Sequence, residues 1–470
     1  MDIKKLGLLL KKPYVIFAII AIIFGTLFCI LTPPFWGLDE PSHFARAYQL
    51  AEGQLLPDTS ANNKGGLMPD NFMELANYRT NDILDSWNNG AVLQSKDVTD
   101  QSVYTRLGSK KFMASQHNYP WTAIYSPISY LGATTGIIIS NILGFNISKT
   151  IFMARFFSLL SYIALAGFAI WLVRKMKLKW FFSVLALIPT AVFQASTVSA
   201  DTFLLGLTLV FMALFSRALI DVKKNEKIIY GLAAVAILLP LIKINYIFLS
   251  LGFLLIHNKD FVSKKVAYIW KSATLALALA LSLAWTLISS VMSTPVLSQR
   301  ADGAQVIPKE QIAYIVHNPF NIISPLIKSI ILNGDSYYQQ LLFTISGNSI
   351  VAPVILSIAL TIVLLISAFY AKDELSKMRK QIIWLAVAGI ICALSIFITL
   401  YVVFSPVSWW YMDGVQGRYF TPLVASTVML TVVLIPVTIK ITKPTIINIV
   451  TITATVSLIV SVAYNVLALY

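Results

Sequence analysis

Long apolar runs separated by short basic linkers dominate this chain and leave it few folds to choose from. A helix needs about 20 mainly apolar residues to cross a bilayer. Such runs stand near 14–32, 150–173, 180–198, 202–220, 228–242, 245–257, 266–292, 348–370, 381–404, 420–440 and 445–466. In hydrocarbon every backbone N–H and C=O must be satisfied within the segment, so these runs are read as helices. The composition agrees: 57% of the 470 residues are apolar and 12% charged, where soluble domains carry roughly 45–50% and 25%. A surface this apolar could not stay in water, which excludes soluble enzymes, disordered regulators, stapled secreted domains and nucleic-acid binders. The fold class expected is an all-α polytopic membrane protein with about 11 transmembrane helices. Its two cysteines, Cys29 and Cys392, both lie inside apolar runs and offer neither a disulfide framework nor a zinc site.

Charge sets the path. The basic start with Lys4, Lys5, Lys11 and Lys12 stays inside, and no small-residue cleavage site follows the first run, so that run reads as an uncleaved signal anchor. The linkers at 174–179, 221–227, 257–265, 372–380 and 440–443 are all basic, and an eleven-span path puts every one of them in the cytoplasm. The net +15 is thereby topogenic charge on one face. The stretch 126–145 would invert this agreement if it crossed alone, so it reads as an interfacial or re-entrant helix. The pair at 228–257 reads as a tight outward hairpin broken at Pro240–Asn245. Segments 33–149 and 293–347, with a smaller loop at 405–419, are then external, and Tyr470 ends outside. Two parts follow: 1–292, a membrane module with the large first external loop and its juxtamembrane helices, and 293–470, a second external loop with the C-terminal helices.

Acidic residues gather at the outer ends of spans, among them Asp39, Glu40 and Asp201. Just past the first span, Asp39 and Glu40 precede Pro41, and the residues from about 41 to 52 read as a helix with Asp39 as its N-cap. The amide-rich start of that helix suits an anion. His43 and Arg46 share one of its faces by spacing, aimed at the two carboxylates. The bland reading is a helix cap with a solvated neighbour. The sharper one is a general base, because a carboxylate held at the membrane surface can take a proton from a hydroxyl. A lipid phosphate at that depth needs cations: Lys243, in the hairpin, and Arg418, before the span at 420, qualify, and an arginine fork matches phosphate oxygens. Arg155 lies inside a span, where an unpaired charge is costly, so an acidic partner or a phosphate is expected, Asp201 being the acid of suitable depth. His117 and the aromatics Trp409, Trp410 and Tyr411 are weaker candidates, as loop and interfacial-belt residues. No Walker, glycine-rich phosphate or His-Glu metal motif appears, which argues against a nucleotide-sugar donor.

The stretch GLDEPSHFARAYQLAEG, with Asp39-Glu40-Pro41-Ser42-His43-Phe44, resembles the opening motif of the bacterial membrane proteins of domain-of-unknown-function family 2142. More broadly it is similar to the first external loop of GT-C glycosyltransferases such as protein O-mannosyltransferases. Tyr125 to Leu160, Ser199-Ala200-Asp201 and Gly417-Arg418-Tyr419 resemble further family segments, so the likeness runs from end to end. One departure is that Tyr125-Ser126-Pro127 stands where aminoarabinose transferases carry a lysine. The resemblance implies a GT-C-like fold and an inverting transfer of sugar from a polyprenyl-phosphate carrier to a glycan or lipid-linked acceptor in the cell envelope. Asp39 would be the base, with Glu40 orienting it or holding a divalent cation, the one cofactor considered. His43, Arg46, Arg155, Asp201, Lys243, Arg418 and Tyr419 would bind substrate. The expected location is the cell membrane, multi-pass, with the site facing outside and lipids but no nucleic acid as partners. The alternative is a flippase, polymerase or ligase for lipid-linked glycans that needs the cations but not the acid pair.

Overall fold

The computed structural model describes residues 12–56, 65–69, 72, 76, 114–118, 122, 125–220, 226–292, 305–345, 350–351 and 353–469. Lys4, Lys5 and Lys11 of the basic start, most of the linker at 221–227, and Tyr470 lie outside the described residues.

The chain is overwhelmingly helical, in the order α1 Pro13–Leu31, α2 Glu40–Ala51, α3 Leu131–Ile142, α4 Ile147–Leu172, α5 Lys179–Ala186, α6 Pro189–Ala195, α7 Asp201–Ile220, α8 Glu226–Ile242, α9 Ile247–Ser250, α10 Lys264–Met292, α11 Pro308–His317, α12 Ile323–Leu342, α13 Val354–Phe369, α14 Lys372–Ser376, α15 Arg379–Phe404, α16 Val424–Leu434 and α17 Lys443–Leu469. Among the described residues two antiparallel strand pairs interrupt this pattern: β1 Gly65–Pro69 with β2 Ala114–Asn118, and β3 Thr344–Ile345 with β4 Ile350–Val351. Among the described residues, seven helical segments are long and apolar enough to cross a membrane: α1, α4, α7, α10, α15, the segment Gly417–Leu434 and α17. The bent pair α11 and α12 makes an eighth if taken as one broken span.

Several regions depart from the simple span pattern: the expected spans at 228–242, 245–257 and 348–370 hold helices shorter than the seven just named, and three other regions break for a visible reason. The run at 180–198 is two short helices, α5 and α6, because Pro189 brings no N–H to continue the first and Ile188 leaves the helical region. The segment 293–347, expected as an external loop, carries α11 and α12, with a 114° bend between Pro308–His317 and Pro319–Leu342, whose first turn is 3-10. The run at 420–440 holds only a short α16, preceded by a 3-10 turn over Gly417–Leu423 that contains Pro422 and followed by non-helical chain from Ile435. The stretch 126–145 holds a 3-10 turn over Pro127–Tyr130 that runs into α3, together shorter than the helices that qualify as spans. α3 lies tightly on α4, where a Cβ at Gly136 would stand 2.3 Å from the Met153 carbonyl oxygen.

The basic linkers come together at one end. Lys177 pairs with Asp373 at 3.1 Å, and Glu374 accepts from the backbone N–H of Lys177 and Leu178, satisfying the open start of α5. Lys372 donates to the carbonyls of Ile435 and Val437, and His257 meets Gln381 at 3.0 Å. At the other end of the same helices lie the close of α1, the start of α7, the close of α8 and the 3-10 turn before α16. A dominant apolar core that includes Phe17, Phe28, Tyr162, Phe193, Phe211 and Phe215 joins the two ends. A second core under the first loop stacks Phe35, Phe44 and Phe72 with centroids 4.9 to 5.7 Å apart. Because α2 contributes Phe44 and Tyr48 to that core, its position over the helix ends is fixed by packing.

Candidate active site

The turn between α1 and α2 is tightly wound. Phe35 and Asp39 both have left-handed backbone, at φ 67° and 53°, a conformation that costs free energy in residues with a Cβ and is best tolerated by Asn and Asp among them. Pro41 sits in the first turn of α2, where its missing N–H is harmless. Asp39 occupies the N-cap position through its backbone carbonyl, which accepts from His43 N at 3.2 Å, but its carboxylate does not cap the helix. It points to the bundle instead, where Arg418 Nη2 donates to Asp39 Oδ2 at 2.6 Å. The expectation of a side-chain cap fails because the left-handed backbone turns the carboxylate away from the amides it would have accepted.

Glu40, the next residue, points inward and is fully buried. Its Oε1 accepts from Arg155 Nε at 2.7 Å and from Val198 N at 3.1 Å, and its Oε2 from Arg155 Nη2 at 2.5 Å and Gly37 N at 3.0 Å. The rest of the Arg155 guanidinium binds the carbonyls of Cys29, Thr32 and Pro33 at the end of α1. This knot ties α1, α2, α4 and the 196–200 turn together. It corrects the expected Arg155–Asp201 pairing, because Glu40 descends into the bundle on α2 and reaches Arg155 first. With four donors on its two oxygens Glu40 has no open side for a cation, and orienting the Asp39 turn is the role its geometry suits. Among the described residues no group of three His, Cys, Asp or Glu could hold a metal.

Asp201 opens α7 and pairs with Lys243, which follows the last residue of α8 in extended backbone. Lys243 Nζ stands 4.9 Å from the Tyr419 ring centroid and the Arg418 guanidinium carbon 5.1 Å from it, so one aromatic face joins the two cations. The turn carrying Arg418 and Tyr419 is braced by α12: Gly417 N donates to Gln340 Oε1 at 2.7 Å and Thr421 Oγ1 to the Leu341 carbonyl at 2.9 Å. Only glycine fits at 417, where a Cβ would lie 1.9 Å from the Tyr337 carbonyl oxygen. Asp39, Asp201, Lys243, Arg418 and Tyr419 thus form one cluster of alternating charge at the end of the bundle away from the basic linkers.

His43 borders this cluster but is uncharged near neutral pH. Burial lowers it from the usual imidazole value to about 4, against the pull of the Asp39 and Asp201 carboxylates, and its Nδ1 shares a 2.6 Å hydrogen bond with the Tyr130 hydroxyl. Burial, helped by Asp201 and Asp39, raises the neighbouring Tyr125 hydroxyl, keeping it protonated. Arg46, expected beside the carboxylates, is buried elsewhere and braces the end of the first-loop helix, with Gln49 and the Leu55 carbonyl as partners. The Trp409–Tyr411 aromatics gather at α12 and α15, with Lys328 over the Trp410 ring at 5.9 Å. His117 lies opposite Gly66 in the β1–β2 pair. Sequence reasoning missed Gln340, whose only signal was a polar residue in a segment read as loop. It also missed Tyr125 as a site neighbour, although its Tyr-Ser-Pro segment had been singled out.

No curated protein and no solved structure matches the chain. One family model does, described as "Predicted membrane protein (DUF2142)", and it runs over residues 22–427, from within α1 to within α16, so that every residue of the charged cluster falls inside it. The chain belongs to this DUF2142 family of membrane proteins.

Proposed function

We propose that this protein is an inverting glycosyltransferase of GT-C type that moves a sugar from a polyprenyl-phosphate carrier to an acceptor hydroxyl. The acceptor is a cell-envelope polysaccharide or glycoconjugate, and the site opens to the outer face of the cell membrane on an eleven-crossing path. Asp39 accepts the hydroxyl proton as the acceptor oxygen attacks the anomeric carbon. The bond from that carbon to the phosphate oxygen breaks, and the charge left on the polyprenyl phosphate is met by Arg418 and Lys243.

The observation that carries this reading is the pairing of an accessible carboxylate with a buried cation of fixed charge. The Asp39 side chain is 60% exposed while Arg418, 2.6 Å away, is 2% exposed, with Lys243 on the same aromatic ring. A proton acceptor open to solvent and a phosphate receptor in the bundle are what transfer from a lipid carrier requires. The test is consumption of polyprenyl-phosphate sugars by the purified full-length protein in nanodiscs, with candidate acceptors present and the glycosylated product identified. Movement of intact lipid-linked sugar between leaflets without any transfer would overturn the reading in favour of a flippase.

A further inference from the structure

The two arginine–carboxylate pairs of the first-loop motif use their guanidinium groups differently. Arg155 places Nε on one oxygen of Glu40 and Nη2 on the other, the two-pronged arrangement that planar forks favour. Arg418 offers the same edge but fills half of it. Its Nη2 donates to Asp39, whereas its Nε, buried and within a residue only 3% exposed, has no hydrogen-bond partner among the described residues. A buried N–H without an acceptor is unfavourable, and the acceptor that fits an Nε–Nη2 edge is a two-oxygen anion. Asp39 sits on the prong that such an anion needs. Lys243 is likewise held by Asp201, so both cations already carry an acid.

We propose that the site works by anion exchange: a phosphate taking the Nε–Nη2 edge of Arg418 displaces the Asp39 carboxylate, which is released to act on the acceptor only once the carrier is seated. This rests on the reading above that the ligand is a lipid phosphate. The exchange is balanced in charge, since one anion replaces another on a guanidinium that cannot lose its proton. It is cheap on the acid side, because the exposed Asp39 passes into water rather than into the bundle, and it completes the half-filled fork. Binding is thereby ordered, donor before acceptor, and a carboxylate held by Arg418 does not activate water in the empty site.

The test is equilibrium binding of a short-chain polyprenyl phosphate without sugar to the full-length protein in phosphatidylcholine nanodiscs, with inorganic phosphate as a second probe. Asn tolerates the left-handed backbone at 39 and keeps the shape of Asp, so Asp39→Asn removes the competing charge and leaves the turn intact. Its affinity for both probes rises about fivefold, the scale of a partly exposed ion pair. Arg418→Gln lowers polyprenyl phosphate affinity about tenfold or more through loss of a charged donor, and Arg418→Lys serves if the glutamine variant does not fold. Equal or weaker binding in Asp39→Asn, with the loss in the Arg418 variants retained, would overturn the exchange while leaving the phosphate site standing. If polyprenyl phosphate binds Arg418→Gln as well as the parent, or binds neither, the exchange and the glycosyltransferase reading fall together.

Discussion

Asp39 and Glu40 are adjacent carboxylates, and each meets one arginine, yet the two pairs are opposites. Glu40 and Arg155 are both within 2% of full burial and every oxygen of the acid is taken. Asp39 is 60% exposed and holds Arg418 by one prong. The backbone makes the difference: Glu40 is in the first turn of α2 and follows the helix inward, whereas the left-handed Asp39 faces out of it. A closed pair can only hold structure. An open one can change partners, so the fold fastens itself with one acid, and the neighbouring acid is the one to which the proposed function gives the chemistry.

The largest effect that tests this contrast is on stability. Glu40→Gln leaves the Arg155 charge buried without a carboxylate, and about 3–5 kcal/mol of stability should be lost. Asp39→Asn should cost about 1 kcal/mol, less than Glu40→Gln, because the acid of this pair is solvent-exposed and the amide oxygen can still accept from Arg418. Unfolding in detergent, followed by denaturant or heat, compares the two, and equal losses would break the contrast. Activity should show the reverse. Asp39→Asn keeps the carbonyl that begins α2 but cannot accept a proton, so transfer should fall by about 10²–10⁴-fold. Full transfer by the folded variant would remove Asp39 as the base.

His43 sharpens the comparison from a third side, since it borders the open pair without charge. Its folded value of about 4 lies below the roughly 6.5 of a free imidazole. The unfolded chain therefore binds the proton first, and the stabilising contribution is complete above about pH 6.5 and is lost as pH falls through 4. The difference amounts to roughly 3 kcal/mol at the acid limit. Unfolding midpoints at pH 7.5 and 4.5 should fall more steeply for the parent than for His43→Gln. Parallel slopes would mean that burial does not lower the imidazole, which would then take up its proton in the folded protein as readily as in the unfolded chain.

Much of this arrangement was legible in the sequence, but along one axis only. Apolar runs near 14–32, 150–173, 202–220 and 381–404 became α1, α4, α7 and α15 within a few residues, because length and hydropathy act locally. The run at 180–198 was read straight through Pro189, where it became two helices. α12 escaped because its polar residues, including Asp335 and Gln340, dilute a run whose apolar side still carries Ile327, Ile330 and Ile331 on the surface. Site residues were found by type and depth, and Asp39, Asp201, Lys243 and Arg418 do meet. Their pairing was not legible. Depth puts Arg155 and Asp201 near the same end of the bundle, but only packing decides which way each helix turns, and Arg155 faces α2 rather than α7. The partner of Asp39 lies 379 residues away, and the turn that aims the acid at it is a backbone conformation with no periodic signal.

The smallest effect is also the one that separates geometry from charge at the open pair. Arg418→Lys keeps a cation beside Asp39 but replaces the planar fork by a point charge. A lysine can hold the carboxylate as the single Nη2 contact does now, so the resting cluster should survive. It cannot present two parallel donors to a phosphate, and donor affinity should weaken about tenfold, the scale of one charge-assisted hydrogen bond. Acceptor dependence should change less, because in the proposed mechanism Arg418 faces Asp39, the group that would act on the acceptor, rather than the acceptor itself. Initial rates with donor and acceptor varied in turn measure the split. An equal rise in the half-saturating concentration of both, or of neither, would mean that Arg418 serves Asp39 alone. The second pair would then be a looser copy of the first.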